Sequence, residues 1–454
     1  MRHTRHGYWL EEAGPVEPVP ALEGTRTADV AIVGGGYLGL WTAWNLAEAG
    51  ADVALVEAGF CGHGPSGRNG GFVSSLWDQL PGLVERFGTE RALAVGRASE
   101  DAVREIGEWC KHEDVEAWYR PARQLEVATT PVQDGAWDEV AEACAALEVE
   151  QATVLDRAAV QAVCASPVFR GGLALRTAAT VQPARLALGL RRRLLERGVK
   201  IFESSPARVG KGELETPSGK VRAGSIVLAI NSATAGFPGF RNALAVASSH
   251  IVLTEPVPDV LAELGWTGGE AIADARTLLH YFRTTPDGRI AFGWGGGRMG
   301  YGARPSERLE HDPDAVAGAA RSLVRFFPQL AGREITHAWG GPIDVSPTHL
   351  PIFGSHGSGH HGYGFTGNGV GPCYLGGQIL AALALERRDD FTRLALVEPP
   401  RASFPPEPLR YAGGSVIRRA LVAKDAAEDE GRRPGTLTRV VAALPRRLGL
   451  HLPR

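Results

Sequence analysis

Residues 29–50 read DVAIVGGGYLGLWTAWNLAEAG, and this stretch decides the fold. Its first five residues cluster β-branched and small apolar side chains, the composition of a buried strand. Gly34, Gly36 and Gly39 follow in G-x-G-x-x-G spacing. Helical period then runs from Leu38 through Leu46 to a stop at Gly50. A second apolar run, 53–56, ends in Glu57. Strand, glycine turn, helix, strand and acid together describe a dinucleotide-binding βαβ unit. Gly34 makes the tight turn, Gly36 admits a pyrophosphate to the backbone, and Gly39 lets helix and strand pack closely. The helix N-terminus offers free N–H groups and a positive dipole end. Glu57 is placed to accept from ribose hydroxyls. The motif alone leaves FAD and NAD(P) both open.

The chain of 454 residues is long for one domain, so two intertwined domains are expected. With 44% hydrophobic and 22% charged residues it reads as an ordinary globular chain. A net charge of −3 gives no reason to expect nucleic acid as a partner. The N-terminus lacks an apolar signal-type segment, and no apolar run reaches the ~20 residues of a membrane span. Five cysteines without a C-x-x-C pair fit a reducing, cytoplasmic setting and no bound metal.

Residues 1–28 read as an extended surface arm that Tyr8, Trp9 and Leu10 dock on the body. Residues 58–75 form a glycine-dense loop around SGRNGG, suited to close packing on an anionic, planar ligand. Helices are expected over 80–114, 132–147 and 156–164, the last with Asp156 as N-cap. Strands are expected at 125–129 and 171–176. A helix with Pro183 in its first turn spans 182–198. Short strands at 199–202 and 208–209, a hairpin over 210–221 and a buried strand at 226–230 return to the α/β pattern. Strands at 244–254, 278–283 and 289–293, the last two joined at Asp287-Gly288, predict an antiparallel sheet. A helix at 312–327 and strands at 335–344 and 351–354 follow. A second glycine turn, GYGFTGNGVG at 362–371, opens into a helix over 372–385. Residues 389–454 read as a charged extension that is solvated or wraps a neighbouring subunit, ending in a basic, apolar run that could touch a membrane.

The βαβ unit, SGRNGG, QPARLALGLRRRLLERGVKIFE, VLAINSAT, YFRTTPDGRIAFG and GFTGNGVG, in this order, resemble the FAD-dependent D-amino-acid oxidase superfamily. SGRNGG and WGGPIDVSPTHLPIFG (339–354) look most like its γ-glutamylputrescine oxidase branch. The resemblance implies an α/β fold: a Rossmann-like FAD domain of glutathione-reductase type with an inserted α+β substrate domain on an antiparallel sheet. The FAD domain would comprise 29–79, 177–243 and 335–388. The substrate domain would comprise 80–176 and 244–334, leaving 389–454 as a C-terminal extension. It further implies that Gly34, Gly36, Tyr37, Leu38 and Gly39 hold the pyrophosphate, Glu57 the ribose, and Val209 the adenine side. Ser66, Arg68, Asn69, Gly70 and Gly71 would line the flavin. Gly341 and Gly354 would flank the ring, and Gly367, Asn368, Gly369 and Val370 would face its pyrimidine side, where a helix N-terminus stabilises charge gained on reduction.

Trp339, Gly340 and Gly341 stand where sarcosine oxidases carry a cysteine, which implies non-covalent FAD. The run 341–343 lacks the arginine with which glycine oxidases hold a carboxylate, leaving Arg283 or Arg298 for that task. The strand 289–293 lacks the lysine of sarcosine oxidases, so O₂ or another acceptor would reoxidise the flavin. The implied reaction is oxidation of a C–N bond in an amine or amino-acid-like small molecule. The substrate pocket candidates are His250, His280, Tyr281, Arg283, Trp294 and Arg298. The alternatives are a flavin monooxygenase, whose later Gly-Asp fingerprint is missing, and a FAD-binding protein with a non-amine substrate.

Overall fold

The computed structural model describes residues 2–447 except 5, 211, 358 and 401. The run 29–33 is the buried end of a longer strand, Gly24–Val33, at the centre of an eight-stranded sheet. Its order is Ile352–His356, Gly359–Tyr363, Gly219–Leu228, Gly24–Val33, Val53–Val56, Lys200–Phe202. Five of these run parallel and Ile352–His356 runs antiparallel, with the Glu213–Glu215 hairpin strand at the side. The helices Tyr37–Glu48 and Val370–Ala384 cross one face. Small residues permit the crossing: a Cβ on Gly377 would stand 2.5 Å from that of Trp41. The expected N-cap Asp156 is present, accepting from Ala159 N–H at 2.8 Å; Gln182 also caps Pro183–Glu196, accepting from Arg185 N–H at 2.9 Å.

The second sheet has eleven strands. Its main order is Arg2–His3, Ile335–Val345, Ala245–Thr254, Ile290–Trp294, His280–Thr284, Ala271–Asp274, Arg120–Ala128, Gly171–Thr180, Phe72–Ser74. It is mixed where an antiparallel sheet was expected: Ala271–Asp274 runs parallel to Arg120–Ala128. The strand Ile335–Val345 is hydrogen-bonded to Ala245–Thr254. It therefore lies in the sheet expected for the substrate domain, not with the 335–388 segment to which its sequence position assigned it. One face of this sheet is sealed by the helix Pro313–Phe326, whose Phe326 packs on Phe282 and Phe292. The other face carries Trp9, Ile251, Ala291, Trp339 and Tyr281.

Three further expectations are corrected. The arm is not a surface strap: Tyr8–Glu12 is a helical turn with Trp9 fully buried, and Arg2–His3 joins the large sheet. The span 80–114 is two helices, broken at Gly88, whose φ of 80° stops the first. The extension folds onto its own chain as the helix Leu409–Asp429. Arg410 Nη1 donates to Arg241 O at 2.7 Å, Arg418 Nε to Gly296 O at 2.9 Å, and Arg276 pairs with Asp429. Its last residues, 448–454, lie outside the described residues, and with them most of the run considered for membrane contact. No described helix is long and apolar enough to cross a membrane.

Candidate cofactor and substrate site

The glycine turn is built by backbone contacts that no side chain could survive. Gly34 has φ 108°, and a Cβ there would stand 2.3 Å from Ala229 O. A Cβ on Gly39 would lie 1.9 Å from Gly34 O, so helix and strand touch only through glycine. Gly36, at the head of Tyr37–Glu48, contributes no cap of its own; Ser66 Oγ accepts from Tyr37 N–H at 2.9 Å. Glu57 ends its strand against this turn: Oε2 accepts from Gly35 N–H at 2.7 Å and Oε1 from Gly59 N–H at 2.8 Å. Val209 is half-buried in the apolar group that also holds Val33, Val56 and Phe202.

The SGRNGG loop is held from three sides. Asn69 ties it internally, its Nδ2 donating to Ser66 O at 3.0 Å and its Oδ1 accepting from Gly71 N–H at 2.8 Å. Two buried indoles grip the backbone from beneath: Trp339 Nε1 donates to Arg68 O at 2.8 Å and Trp9 Nε1 to Asn69 O at 2.9 Å. The Arg68 guanidinium turns away to Glu310 at 3.1 Å. Tyr37 also points away, its hydroxyl donating to Pro183 O at 2.8 Å, and Leu38 is core, so both reach the turn only through backbone.

The third wall is the glycine turn before Val370–Ala384. This helix too begins on a glycine without a side-chain cap, Gly369. Gly371 packs against the strand after the SGRNGG loop, where a Cβ would lie 2.5 Å from Ser74 O, and Asn368 Nδ2 donates to Ser75 O at 3.4 Å. Asp344 fixes the turn by accepting from Gly364 N–H at 2.5 Å; burial raises its carboxyl to about 6.

Alternation along the strands decides which predicted residues meet these walls. Trp339, Gly341 and Ile343 share one face of their strand. A Cβ on Gly341 would meet no protein atom within 4 Å, while Ile343 borders Gly367 at 3.8 Å. Tyr281 and Arg283 share that face of the sheet: Tyr281 packs on Gly70, and Arg283 Nη1 donates to Gly71 O at 3.3 Å. Tyr281 OH and Ser249 Oγ are 2.7 Å apart, and burial raises the phenol to about 12.

His250, His280 and Trp294 occupy the opposite face. They form one row across three strands, beneath Pro313–Phe326. His280 Nδ1 is 2.8 Å from Asp274, and its ring stacks on Trp294 at 6.2 Å. A Cβ on Gly340 would strike the His250 ring and one on Gly318 the Trp294 ring. His250 and His280 are buried and Trp294 is half-buried against the same core, on the face away from the cradle. Arg298 is likewise excluded from the site by its ion pairs to Asp312 at 2.8 Å and Asp314 at 3.1 Å. Gly354 sits within its strand opposite His361 and against Glu398, not on the open cradle.

Sequence reading missed Glu126 and Gln124, which lie on the Tyr281 face of Arg120–Ala128, opposite Leu125 and Val127 in the core. The apolar–polar alternation of RQLEVA was the available signal. A separate hollow of about 690 Å³, lined by Val103, Cys110, Trp118 and Tyr119 among others, touches none of the glycine turns and is not this site.

The residues fit an extended dinucleotide. Two glycine-headed helices, a strand-end carboxylate and an unfilled space over Gly341 form a continuous cradle under Tyr281. Residues 29–383 match the family described as FAD dependent oxidoreductase (DAO). The chain is 29% identical over 439 residues to gamma-glutamylputrescine oxidoreductase of Escherichia coli (strain K12), covering 94% of this chain and 98% of that protein. It is 30% identical over 438 residues to the probable oxidoreductase OrdL of Rhizobium meliloti (strain 1021), with 92% and 95% covered. Among solved structures, glycine oxidase from Geobacillus kaustophilus superposes with a TM-score of 0.64 at 18% identity, over 80% of this chain and 96% of that one. The chain thus belongs to the DAO family of FAD-dependent oxidoreductases, alongside amine and amino-acid oxidoreductases.

Proposed function

We propose that this enzyme oxidises the C–N bond of an amine. The carbon beside nitrogen loses a hydride and the nitrogen a proton; water then hydrolyses the resulting imine. Bound FAD supplies the two-electron acceptor. The observation that supports it is the meeting of the Tyr281 face with the glycine cradle at Gly70, on the same sheet face as the open position at Gly341.

In this reading the backbone of Gly34, Gly36 and Gly39 holds the pyrophosphate and Glu57 the ribose, with Val209 near the adenine. The loop 66–71, Gly341 and residues 367–370 enclose the ring. The Val370–Ala384 helix N-terminus stabilises negative charge gained on reduction. Tyr281, anchored by Ser249, orients substrate against that wall and helps exclude water. Arg283 is 2% exposed and sealed between Gly71 O and the Trp9 ring, so it supports the loop instead of meeting a substrate carboxylate. That favours an amine over a simple α-amino acid. FAD is held without a covalent bond: Cys61 is fully buried behind Gly35, and burial keeps its thiol protonated. O₂ or another acceptor takes up the electrons.

The test is anaerobic mixing of the yellow holoenzyme with alkylamines, diamines, N-methyl amines and amino acids. Bleaching by amines is expected, and air then separates an oxidase from a dehydrogenase. Bleaching by NADPH and by no amine would overturn the reading in favour of a monooxygenase.

A further inference from the structure

Arg283 is a buried cation without an anion. The residue is 2% exposed, and no carboxylate pairs with it among the described residues. Its Nε is fully enclosed and has no hydrogen-bond partner. Nη1 donates to Gly71 O at 3.3 Å, a long bond, and Cζ lies 5.0 Å from the centre of the Trp9 ring. Burial, opposed only by the Tyr37 phenol, lowers the guanidinium to about 9, so the charge is kept at neutral pH. The phenol is no counter-ion, because its own burial raises it well above its usual range and keeps it neutral. Acids on the elements around Arg283 are committed elsewhere. Glu12, on the helix that carries Trp9, pairs with Arg185 at 2.6 Å, and Asp287, in the same hairpin, with Arg289 at 2.6 Å. A charge enclosed with so little compensation costs stability unless something else balances it.

Its placement indicates what that is. Tyr281 and Arg283 are alternate residues of one strand, and they rest on consecutive residues of the SGRNGG loop, Gly70 and Gly71. The guanidinium stands where a Gly71 side chain would go: a Cβ there would lie 3.0 Å from Cζ and from Nη1. The Gly71 carbonyl also accepts from Val181 N–H at 2.9 Å, so the loop is fixed to the sheet at this point from two sides. The one enclosed and unpaired arginine charge on this sheet face is therefore held against the loop backbone, on the face that also carries the open position at Gly341.

We propose that Arg283 sets the reduction potential of bound FAD, its charge favouring the reduced ring over the oxidised one. The inference rests on the reading in which the loop 66–71 lines the ring. Hydride carries two electrons and one proton, so its arrival adds one negative charge to a neutral ring. A cation fixed beside the loop stabilises that charge and acts only weakly on the neutral state. Enclosure keeps solvent ions from screening it. The Val370–Ala384 helix N-terminus acts in the same sense with a partial charge, and Arg283 adds a whole one. Arg283 is a positioning residue: it places charge at the ring across the Gly71 backbone and touches no reacting atom. The pyrophosphate cannot be the partner that gives this effect, since its charge is the same in both redox states.

The test is the midpoint potential of bound FAD, measured against reference dyes with dithionite as reductant and no amine present, beside FAD affinity and thermal melts. Arg283→Met removes charge and bond, Arg283→Gln keeps a donor without charge, and Arg283→Lys keeps the charge. Met and Gln should each weaken the preference for reduced over oxidised FAD by about 10- to 100-fold, the order expected of one unit charge at short range in a protein-like dielectric. For this two-electron couple that lowers the potential by about 30–60 mV. Arg283→Lys should recover most of the loss. Arg298→Gln, whose charge is already balanced by Asp312 and Asp314, should leave the potential where it is. An unchanged potential in Met and Gln, with oxidised FAD bound more weakly, overturns the proposal in favour of a role at the phosphates or in the scaffold. So does a failure of both variants to hold FAD, and so does an equal fall in Arg283→Lys. Because no amine takes part, a wild type that no amine bleaches refutes amine oxidation and leaves the effect of Arg283 on the potential standing.

Discussion

Gly341→Ala separates the cradle from its scaffold. Gly341 lies on the cofactor face between Trp339 and Ile343, paired with Ser249, and its φ is not in the left-handed region. A Cβ meets no protein atom within 4 Å. The substitution therefore introduces neither strain nor clash in the protein itself, and loss of glycine from a strand adds about 0.5–1 kcal/mol of stability. The same methyl projects into the space assigned to the flavin. Inserting a methyl into a filled site costs about 1–3 kcal/mol, which is roughly 5- to 150-fold in affinity. Gly34→Ala is the contrast: with φ 108° and a Cβ 2.3 Å from Ala229 O, it should damage fold and cofactor binding together. The assay is titration of deflavinated protein with FAD, followed by quenching of flavin fluorescence, beside thermal melts of the same FAD-free samples. Gly341→Ala should melt no lower than wild type and bind FAD at least 5-fold more weakly. An unchanged FAD affinity with an unchanged melt would refute the placement of the ring over Gly341.

Trp339→Phe removes the indole bond to Arg68 O and part of the support under the loop. It should cost roughly 1–3 kcal/mol in denaturant unfolding and also weaken FAD retention. Trp266→Phe, an equally buried indole in the other core, should cost stability without releasing FAD. Trp294→Phe alters the sealed face of the sheet, so KM for any amine substrate should stay within about twofold of wild type, well under 1 kcal/mol; a tenfold change in KM would return Trp294 to the pocket. Asp344 carries a pH signature. Its folded carboxyl, raised to about 6, lies above the unfolded value, so its contribution is full below about pH 4 and is lost as pH rises through 6. Asp344→Asn should remove this decline, on the order of 2 kcal/mol, from urea unfolding compared at pH 4.5 and 7.5, and a slope equal to that of wild type would show that Asp344 does not set it.

The cofactor half was legible because its requirements are local. Gly34 and Gly39 are demanded by backbone contacts within the βαβ unit, and spacing alone reveals them. The second glycine turn was legible for the same reason, but the strand Gly359–Tyr363 before it was not. GHHGY has little intrinsic preference for strand and forms one because Gly219–Leu228 and Ile352–His356 pair with it on either side. The extension looked solvated because it opens Pro-rich and then carries arginine and acidic clusters. Carbonyls at 241, 244, 296 and 297 receive two of its arginines, an arrangement visible only once the chain is folded.

The substrate half was half legible, and the reason is geometric. His280, Tyr281 and Arg283 were chosen together, yet a strand must send His280 one way and Tyr281 and Arg283 the other. Pairing with Phe292 and Trp294, which feed the core under Pro313–Phe326, settles which way. The same alternation hid Glu126. In RQLEVA the apolar positions identify the core face correctly, and the polar positions are then naturally assigned to water. That inference holds only for a sheet whose second face is exposed. Here the second face meets the loop 66–71 through Tyr281 and Arg283, so its polar side chains are half-buried without being core. An enclosed carboxylate must be protonated, hydrated or paired, since burying it charged and alone is prohibitive. Around Glu126 the described residues provide no pairing cation, and an adjacent Asp78 makes an unpaired charge costlier still. Burial, followed by Asp78 and Asp274, accordingly raises the Glu126 carboxyl to about 7, so a proton relieves it near neutral pH.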